Sequence, residues 1–142
     1  MPVSHTLTIV KPDAFASAKA GKIIAHLEAQ GFKVCAARVM HLTKAQAEEF
    51  YGVHRERPFF SSLVSFMTSG PCMPLVLERA DAVASLRKAI GATDPKEAEQ
   101  GTVRALFAES KERNAIHASD SDENAARESR FFFSESELLA AR

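Results

Sequence analysis

The stretch Asn114-Ala115-Ile116-His117-Ala118-Ser119-Asp120-Ser121 sets one histidine among small and hydroxyl residues. The unperturbed imidazole pKa lies near 6.5, so at neutral pH much of it is neutral and able to attack an anionic substrate. The small neighbours leave room for a bulky group at the ring. A histidine on its own reads first as a buried, hydrogen-bonded core side chain, so its company must decide. Arg87, Thr93 and Arg104 precede it. The fixed fork of donors on a guanidinium suits phosphate, and the three side chains, if they converge, build a phosphate cradle. Scattered, they are ordinary surface. Tyr51, His54, Arg55 and Arg57 fall close together before Pro58-Phe59-Phe60, a pattern that fits either surface plus core or a site with an aromatic wall. Cys35 and Cys72 sit in apolar, strand-like stretches. A thiol there has a raised pKa and low reactivity, so neither competes with His117 as a nucleophile.

Regular elements must position these groups. Residues 6–11 alternate polar and apolar and are rich in β-branched side chains, which predicts a strand with one buried face and leaves Lys11 at its end before Pro12. Ala20, Ile23, Ile24 and Leu27 share one helical face over 20–30, and Gly31 suits the position just past a helix end. A second strand is expected over 32–42. Thr43 with Gln46 is a capping-box pair that starts a helix reaching about residue 52. A short helix over 60–67 is broken by Ser69-Gly70-Pro71. Residues 72–78 read as a strongly apolar strand buried on both faces, with a bulge or late start at Pro74, since proline cannot donate to a ladder. Asp81 is expected to cap a helix with Val83, Leu86 and Ile90 inward and Gly91 at its end. Residues 93–120 show little periodicity, and a long irregular segment in a compact domain is usually functional. A short helix over 121–129 carries Arg127 and Glu128, followed by an apolar Phe131-Phe132-Phe133 anchor and a short tail over 138–142. This order approximates β-α-β-β-α-β with extra helices inserted. It predicts an α/β (α+β) ferredoxin-like sandwich, a four-stranded antiparallel sheet with helices packed on it.

The totals set bounds. At 142 residues the chain is expected to form a single domain over residues 1–142. Its 18 basic and 18 acidic residues cancel, so bulk charge draws it to neither nucleic acid nor membrane, and phosphate binding must come from local clustering. Two cysteines build no disulfide framework and have no metal-site spacing, which fits free thiols in a reducing cytoplasm. The N-terminus has no basic segment followed by a long apolar run, and no stretch is long enough to span a membrane.

The octapeptide around His117 resembles the signature of the nucleoside diphosphate kinases: an Asn, two spacers, the catalytic His, a Gly or Ala, then Ser-Asp. The resemblance runs from Thr6 to about Leu138 and includes Lys11-Pro12-Asp13, Tyr51, Arg57-Pro58-Phe59-Phe60, Ser69-Gly70-Pro71 and Gly101-Thr102-Val103-Arg104. It implies transfer of a γ-phosphoryl group from a nucleoside triphosphate to a nucleoside diphosphate through a phosphohistidine on His117, with Glu128 hydrogen-bonded to the imidazole. It implies that Lys11 contacts the ribose hydroxyls, that Phe59 stacks on the base beside Leu63, and that Tyr51 lies near the histidine. His54, Arg87, Thr93 and Arg104 are implied to meet the phosphates, and Asn114 to belong to the nucleotide site. Stacking uses the π-face common to all bases, so such a clamp binds without choosing among them. The resemblance also implies Mg²⁺ carried in on the nucleotide phosphates rather than held by a protein metal site, and a homo-oligomer, tetramer or hexamer. Ala118 stands where many members have glycine, and Lys111 where an apolar residue often closes over the base, a place its methylene stem can still fill. Two other readings make different demands. A nucleotide-binding scaffold without catalysis would lack part of the set His117, Glu128, Arg87 and Arg104, all of which are present. A nucleic-acid-binding module would show basic and aromatic patches on its sheet, which the neutral charge and single tyrosine do not favour.

Overall fold

The computed structural model describes residues 3–140. Four strands form one sheet in the order β2-β3-β1-β4: β1 (Val3–Val10), β2 (Lys33–Ala37), β3 (Met73–Ala80) and β4 (Ile116–Ala118). Every neighbouring pair is antiparallel. The order is the ferredoxin-like one, and the expected fold class holds. Eight helices accompany the strands among the described residues: α1 (Pro12–Ala16), α2 (Ala20–Ala29), α3 (Lys44–Phe50), α4 (Phe60–Met67), α5 (Ala82–Ile90), α6 (Val103–Phe107), α7 (Asp122–Phe132) and α8 (Glu135–Ala140). The last two residues of the expected tail lie outside the described residues.

Helices cover both faces of the sheet. On one face, Val10, Leu75, Leu77 and Ile116 pack with Ile23 and Leu27 of α2, Leu86 and Ile90 of α5, and Val103 of α6. On the other, Leu7, Ile9 and Val76 meet Phe50 of α3, Val64 and Met67 of α4, and Phe132 of α7. This corrects the expectation of one buried face for β1. Thr6 and Thr8 are fully buried, because their side of the strand is roofed as well. The hydroxyl of Thr8 donates to the carbonyl of His117 at 2.6 Å, which is how a polar side chain is accommodated there.

Several boundaries differ from those read in the sequence. Strand β1 begins at Val3 rather than residue 6, and Pro12 opens α1 instead of simply ending the strand, since proline suits a first helical turn. Strand β2 stops at Ala37, well short of residue 42. The reason lies opposite it: the Arg38 N–H donates to Pro74 at 3.2 Å, but Pro74 has no N–H to return. Reciprocal bonding resumes only at the Met40–Cys72 bridge. The strand start at Met73 is one residue late, as Pro74 suggested, but the bulge sits in β2 at Cys35. The Thr43–Gln46 capping box forms in full. Asp81, in contrast, does not cap α5 with its side chain. It adopts a left-handed conformation at φ 49°, and the Ala82 N–H donates to the Ser4 hydroxyl at 2.9 Å instead. The stretch 93–120 is not wholly irregular, because it holds α6, capped by Thr102, and the fourth strand. Helix α7 runs on to Phe132, so the three-phenylalanine anchor is mostly its last turn.

Gly91 closes α5 at φ 88° and ψ −178°, a region that is essentially glycine's alone. A Cβ there would also lie 2.5 Å from Oγ1 of Thr102, the cap of α6. Gly101 has φ 89° but open space around it. Gly91→Ala is therefore expected to lower unfolding free energy by about 2–4 kcal/mol, combining backbone strain with overpacking. Gly101→Ala should cost about 1 kcal/mol. Urea unfolding of the two variants checks this; equal costs would show that contact with Thr102 plays no part.

Candidate active site

The site is built on β4, three residues long and held from every side. The register places His117 opposite Ile9 of β1. Just before the strand, the Ile116 N–H donates to the Asn114 carbonyl at 2.9 Å around Ala115, whose φ is 74°. That is a γ-turn of the rare, strained hand. It persists because its backbone groups are individually tied. The Lys11 N–H donates to the Ala115 carbonyl at 2.9 Å, and the Ala115 N–H donates to Oδ2 of Asp13 at 3.1 Å. Arg104 bridges the strand to the end of α5, donating from Nη2 to the Ile116 carbonyl at 2.8 Å and from Nη1 to the Gly91 carbonyl at 3.1 Å.

At the ring, Nε2 of His117 is 2.8 Å from Oε1 of Glu128, on α7. A carboxylate only accepts, so the proton sits on Nε2 and the lone pair on Nδ1 is left free. The Ser119 hydroxyl donates to the same Glu128 oxygen at 2.7 Å. Phe50 and Tyr51 meet the imidazole edge-on, with ring centroids 5.5 and 6.3 Å away. Burial lowers the pKa of His117 and outweighs the opposing pull of Glu128, with the positive charges of Lys11 and Arg104 adding to the lowering. The ring is therefore neutral at neutral pH. Burial likewise raises the Tyr51 phenol, whose hydroxyl has no hydrogen-bond partner among the described residues.

The other expected residues fall into three groups. Lys11 is buried and donates from Nζ to Oδ1 of Asn114 at 2.9 Å; Nδ2 of Asn114 in turn makes a long 3.5 Å contact with the Thr93 carbonyl. Burial and the charge of Arg104 lower Lys11 to about 8, while Asp13 pulls it upward. Arg87 and Arg104 line one pocket of about 420 Å³ with Thr102 and Gly91. Burial and the charge of Arg87 bring Arg104 down to about 10, still protonated at neutral pH. Thr93 is exposed and does not line that pocket. His54 and Phe59 pack against each other at 5.5 Å, in a turn tied back to Tyr51 by the His54 N–H at 2.8 Å. Phe59 is 47 % exposed, an aromatic face open to solvent, and Leu63 follows one helical turn later, half-buried. Lys111 is exposed on a loop closed by the Glu109–Arg113 backbone bond.

Four supporting residues escaped the sequence reading. Ser119 holds Glu128, Thr8 holds the His117 carbonyl, Asp13 holds the turn, and Phe50 walls the ring. Ser119 and Asp13 lay inside the family-like motifs, so position was a signal for both. Nothing in the sequence singled out Thr8 or Phe50. Asp120 is exposed, accepts from Asn124 at 2.6 Å, and is held below the usual carboxylate range chiefly by that bond. Close to His117 it offers one carboxylate, not a cluster of metal ligands.

Comparison with known proteins fits this geometry. The family model for nucleoside diphosphate kinase matches residues 4–138. A nucleoside diphosphate kinase of Chlorobium chlorochromatii is 56% identical over 137 residues, covering 96% of this chain and 98% of that one. One from Thiobacillus denitrificans is 52% identical over 142 residues, with full coverage of both, 100% each way. Among solved structures, the Aquifex aeolicus nucleoside diphosphate kinase superposes with a TM-score of 0.93 at 47% identity, covering 96% of this chain and 99% of that one. The Halobacterium salinarum enzyme in complex with CDP gives 0.90 at 37% identity, covering 96% and 91%.

The Lys11 shift predicts a pH signature. Its pKa is about 8 when folded, against an ordinary lysine value of 10.5, so between those limits the unfolded chain holds more protons. Stability contributed by this group must therefore rise with pH across that window. Urea unfolding of wild type and Lys11→Met from pH 7.5 to 9.5 should show wild type gaining relative to the variant. A constant difference would mean that Lys11 titrates normally.

Proposed function

Since the chain belongs to the nucleoside diphosphate kinase family and transfers phosphoryl groups between nucleotides, we propose that His117 is the residue that carries the γ-phosphoryl group from donor to acceptor. The observation that supports this most directly is the Nε2–Glu128 bond, which leaves Nδ1 unprotonated. In the first half-reaction the Nδ1 lone pair forms a bond to the γ-phosphorus. The bond from phosphorus to the β,γ-bridging oxygen breaks, and its electron pair leaves with the nucleoside diphosphate. Nε2 keeps its proton, so the ring gains positive charge, which Glu128 offsets. In the second half, a terminal phosphate oxygen of the acceptor attacks phosphorus and the N–P electrons return to Nδ1. A covalent intermediate lets one site serve donor and acceptor in turn.

The same reading gives the surrounding groups their parts. Arg87 and Arg104, with Thr93, Tyr51 and His54, stabilise charge on the transferring and neighbouring phosphate oxygens. The hydroxyl of Tyr51, which has no hydrogen-bond partner among the described residues, is a donor available to a phosphate oxygen. Lys11, with Asn114, serves the sugar end, and the exposed face of Phe59 with Leu63 takes the base. Mg²⁺ enters as part of the nucleotide substrate, neutralising the phosphates, with Asp120 the nearest carboxylate in sequence. The chain acts as one domain in a homo-oligomer, tetramer or hexamer; the outer edge of β2 pairs with no strand among the described residues. A cytoplasmic setting fits the free thiols of Cys35 and Cys72. Among the described residues no helix is long and apolar enough to cross a membrane.

Incubation with γ-labelled ATP and Mg²⁺, without acceptor, should label the protein with an acid-labile, base-stable phosphoramidate that added GDP discharges to GTP. His117→Ala should take no label yet still bind nucleotide, because its base, ribose and phosphate contacts lie elsewhere. Glu128→Gln should lose about one to three decades in turnover, since an amide still holds the ring. An acid-stable label, or one that survives in His117→Ala, contradicts the reading.

A further inference from the structure

Far along the sheet from the γ-turn, β1, β2 and β3 bring three metal-ligating side chains together. His5 stands opposite Glu78 in the β1–β3 register, with Nε2 of the imidazole 3.1 Å from Oε1 of the carboxylate. The Cys35 thiol completes the group, and one donor atom from each of the three lies within 4.8 Å of the others. None of the three is fully buried. Cys35 owes its position to the bulge in β2. The register passes from Val34–Leu77 directly to Ala36–Val76, so Cys35 is the extra residue. Val34 packs toward one core cluster, while Cys35 and Ala36 both pack toward the other. Bulges re-aim a side chain in this way, and here the one re-aimed is a thiol brought beside an imidazole and a carboxylate.

We propose that His5, Cys35 and Glu78 form a binding site for a divalent transition metal of the zinc class. Sulfur, imidazole nitrogen and carboxylate oxygen from three different strands are a donor set that such an ion accepts and that Mg²⁺ does not favour. Ligand atoms sharing a tetrahedral zinc sit about 3.3–3.8 Å apart, given bond lengths of about 2.0–2.3 Å. The imidazole–carboxylate pair, at 3.1 Å, lies close to that separation, and the sulfur, within 4.8 Å of both, needs only a small approach. Access is provided by a cavity of about 390 Å³ lined by His5 and Cys35 together with Ser4, Asp122, Ala125 and Ser129, between the sheet and α7. It leaves room for a water in the fourth position. On binding, the Cys35 S–H proton passes to solvent as the S–metal bond forms, and the His5 proton moves to Nδ1 so that Nε2 can ligate. The ion clasps β2, β3 and β1 together and stabilises the folded chain by an amount that grows with the logarithm of free ion above the dissociation constant. The site is separate from His117, so it adds to the phosphotransfer chemistry without taking part in it.

Cobalt serves as the probe, because thiolate ligation gives Co²⁺ a near-ultraviolet charge-transfer band. One equivalent of Co²⁺ added to the intact, nucleotide-free protein should produce that band, and Zn²⁺ should displace it. Cys72→Ser should keep the band, Cys35→Ser should lose it, and His5→Ala should weaken cobalt binding at least tenfold. Phosphotransfer with Mg²⁺ should be unchanged in Cys35→Ser. Without any substitution, Zn²⁺ should also protect Cys35 from alkylation, read by mass spectrometry of its peptide. No band in the wild type, a band that survives in Cys35→Ser, or alkylation of Cys35 unaffected by Zn²⁺ would overturn the assignment.

Discussion

Glu128 is buried, and a buried carboxylate is tolerable only when its oxygens are met by donors. Two donors converge on Oε1, the imidazole of His117 and the hydroxyl of Ser119. That arrangement constrains much of the molecule. Helix α7 must begin at its Ser121 cap so that Glu128 arrives nearly two turns later above β4, and β4 must pair with β1 so that His117 and Ser119 reach it from below. The Ser119 N–H, bonded to the Leu7 carbonyl at 3.2 Å, fixes the lower side of the same contact. One bond thus sets the tautomer of the histidine, and the sheet sets the bond.

The approach to that histidine is strained. Ala115 holds a left-handed conformation in a tight γ-turn, a state that costs of order 1–3 kcal/mol and persists only where its surroundings over-determine it. Lys11 and Asp13 from the start of α1 and Arg104 from α6 supply the constraint. The same residues lie among the charges around the site. Lys11 and Arg104 are buried cations near the imidazole, and their charge helps to keep it neutral. Fixing the backbone and tuning the imidazole are therefore one arrangement: burial lowers the pKa of His117 most, and the buried positive groups that tie the turn add to the lowering.

What the sequence showed depended on how local the cause was. The Thr43–Gln46 capping box, the helices over 60–67 and after Ser121, and the glycine ends of α2 and α5 were readable because neighbouring residues determine them. Strand β4 was not, since three residues carry no period and their strand conformation comes from pairing with β1, more than a hundred positions away. Asp81 misled for a similar reason. Its backbone turns left-handed at φ 49°, and the first N–H of the helix, that of Ala82, is met by Ser4 from β1. The alternation in β1 suggested one solvated face, but α2, α5 and α6 roof that face, and only tertiary packing reveals it. At the site, His117, Glu128, Lys11, Tyr51 and Asn114 were legible through motifs that resemble a known family, and they lie together. Thr8 and Phe50 belong to no motif, and their contacts with His117 emerge only from the fold.

Glu128 fixes His117 with its proton on Nε2 and its lone pair on Nδ1. Nitrogen NMR of protein labelled with ¹⁵N-histidine reads this directly. In the resting protein, the Nε2 of His117 should show the shift of a protonated ring nitrogen and Nδ1 that of a bare one. After reaction with ATP, the phosphorus should couple to Nδ1. A resting ring protonated at Nδ1, or phosphorus attached to Nε2, would contradict the account.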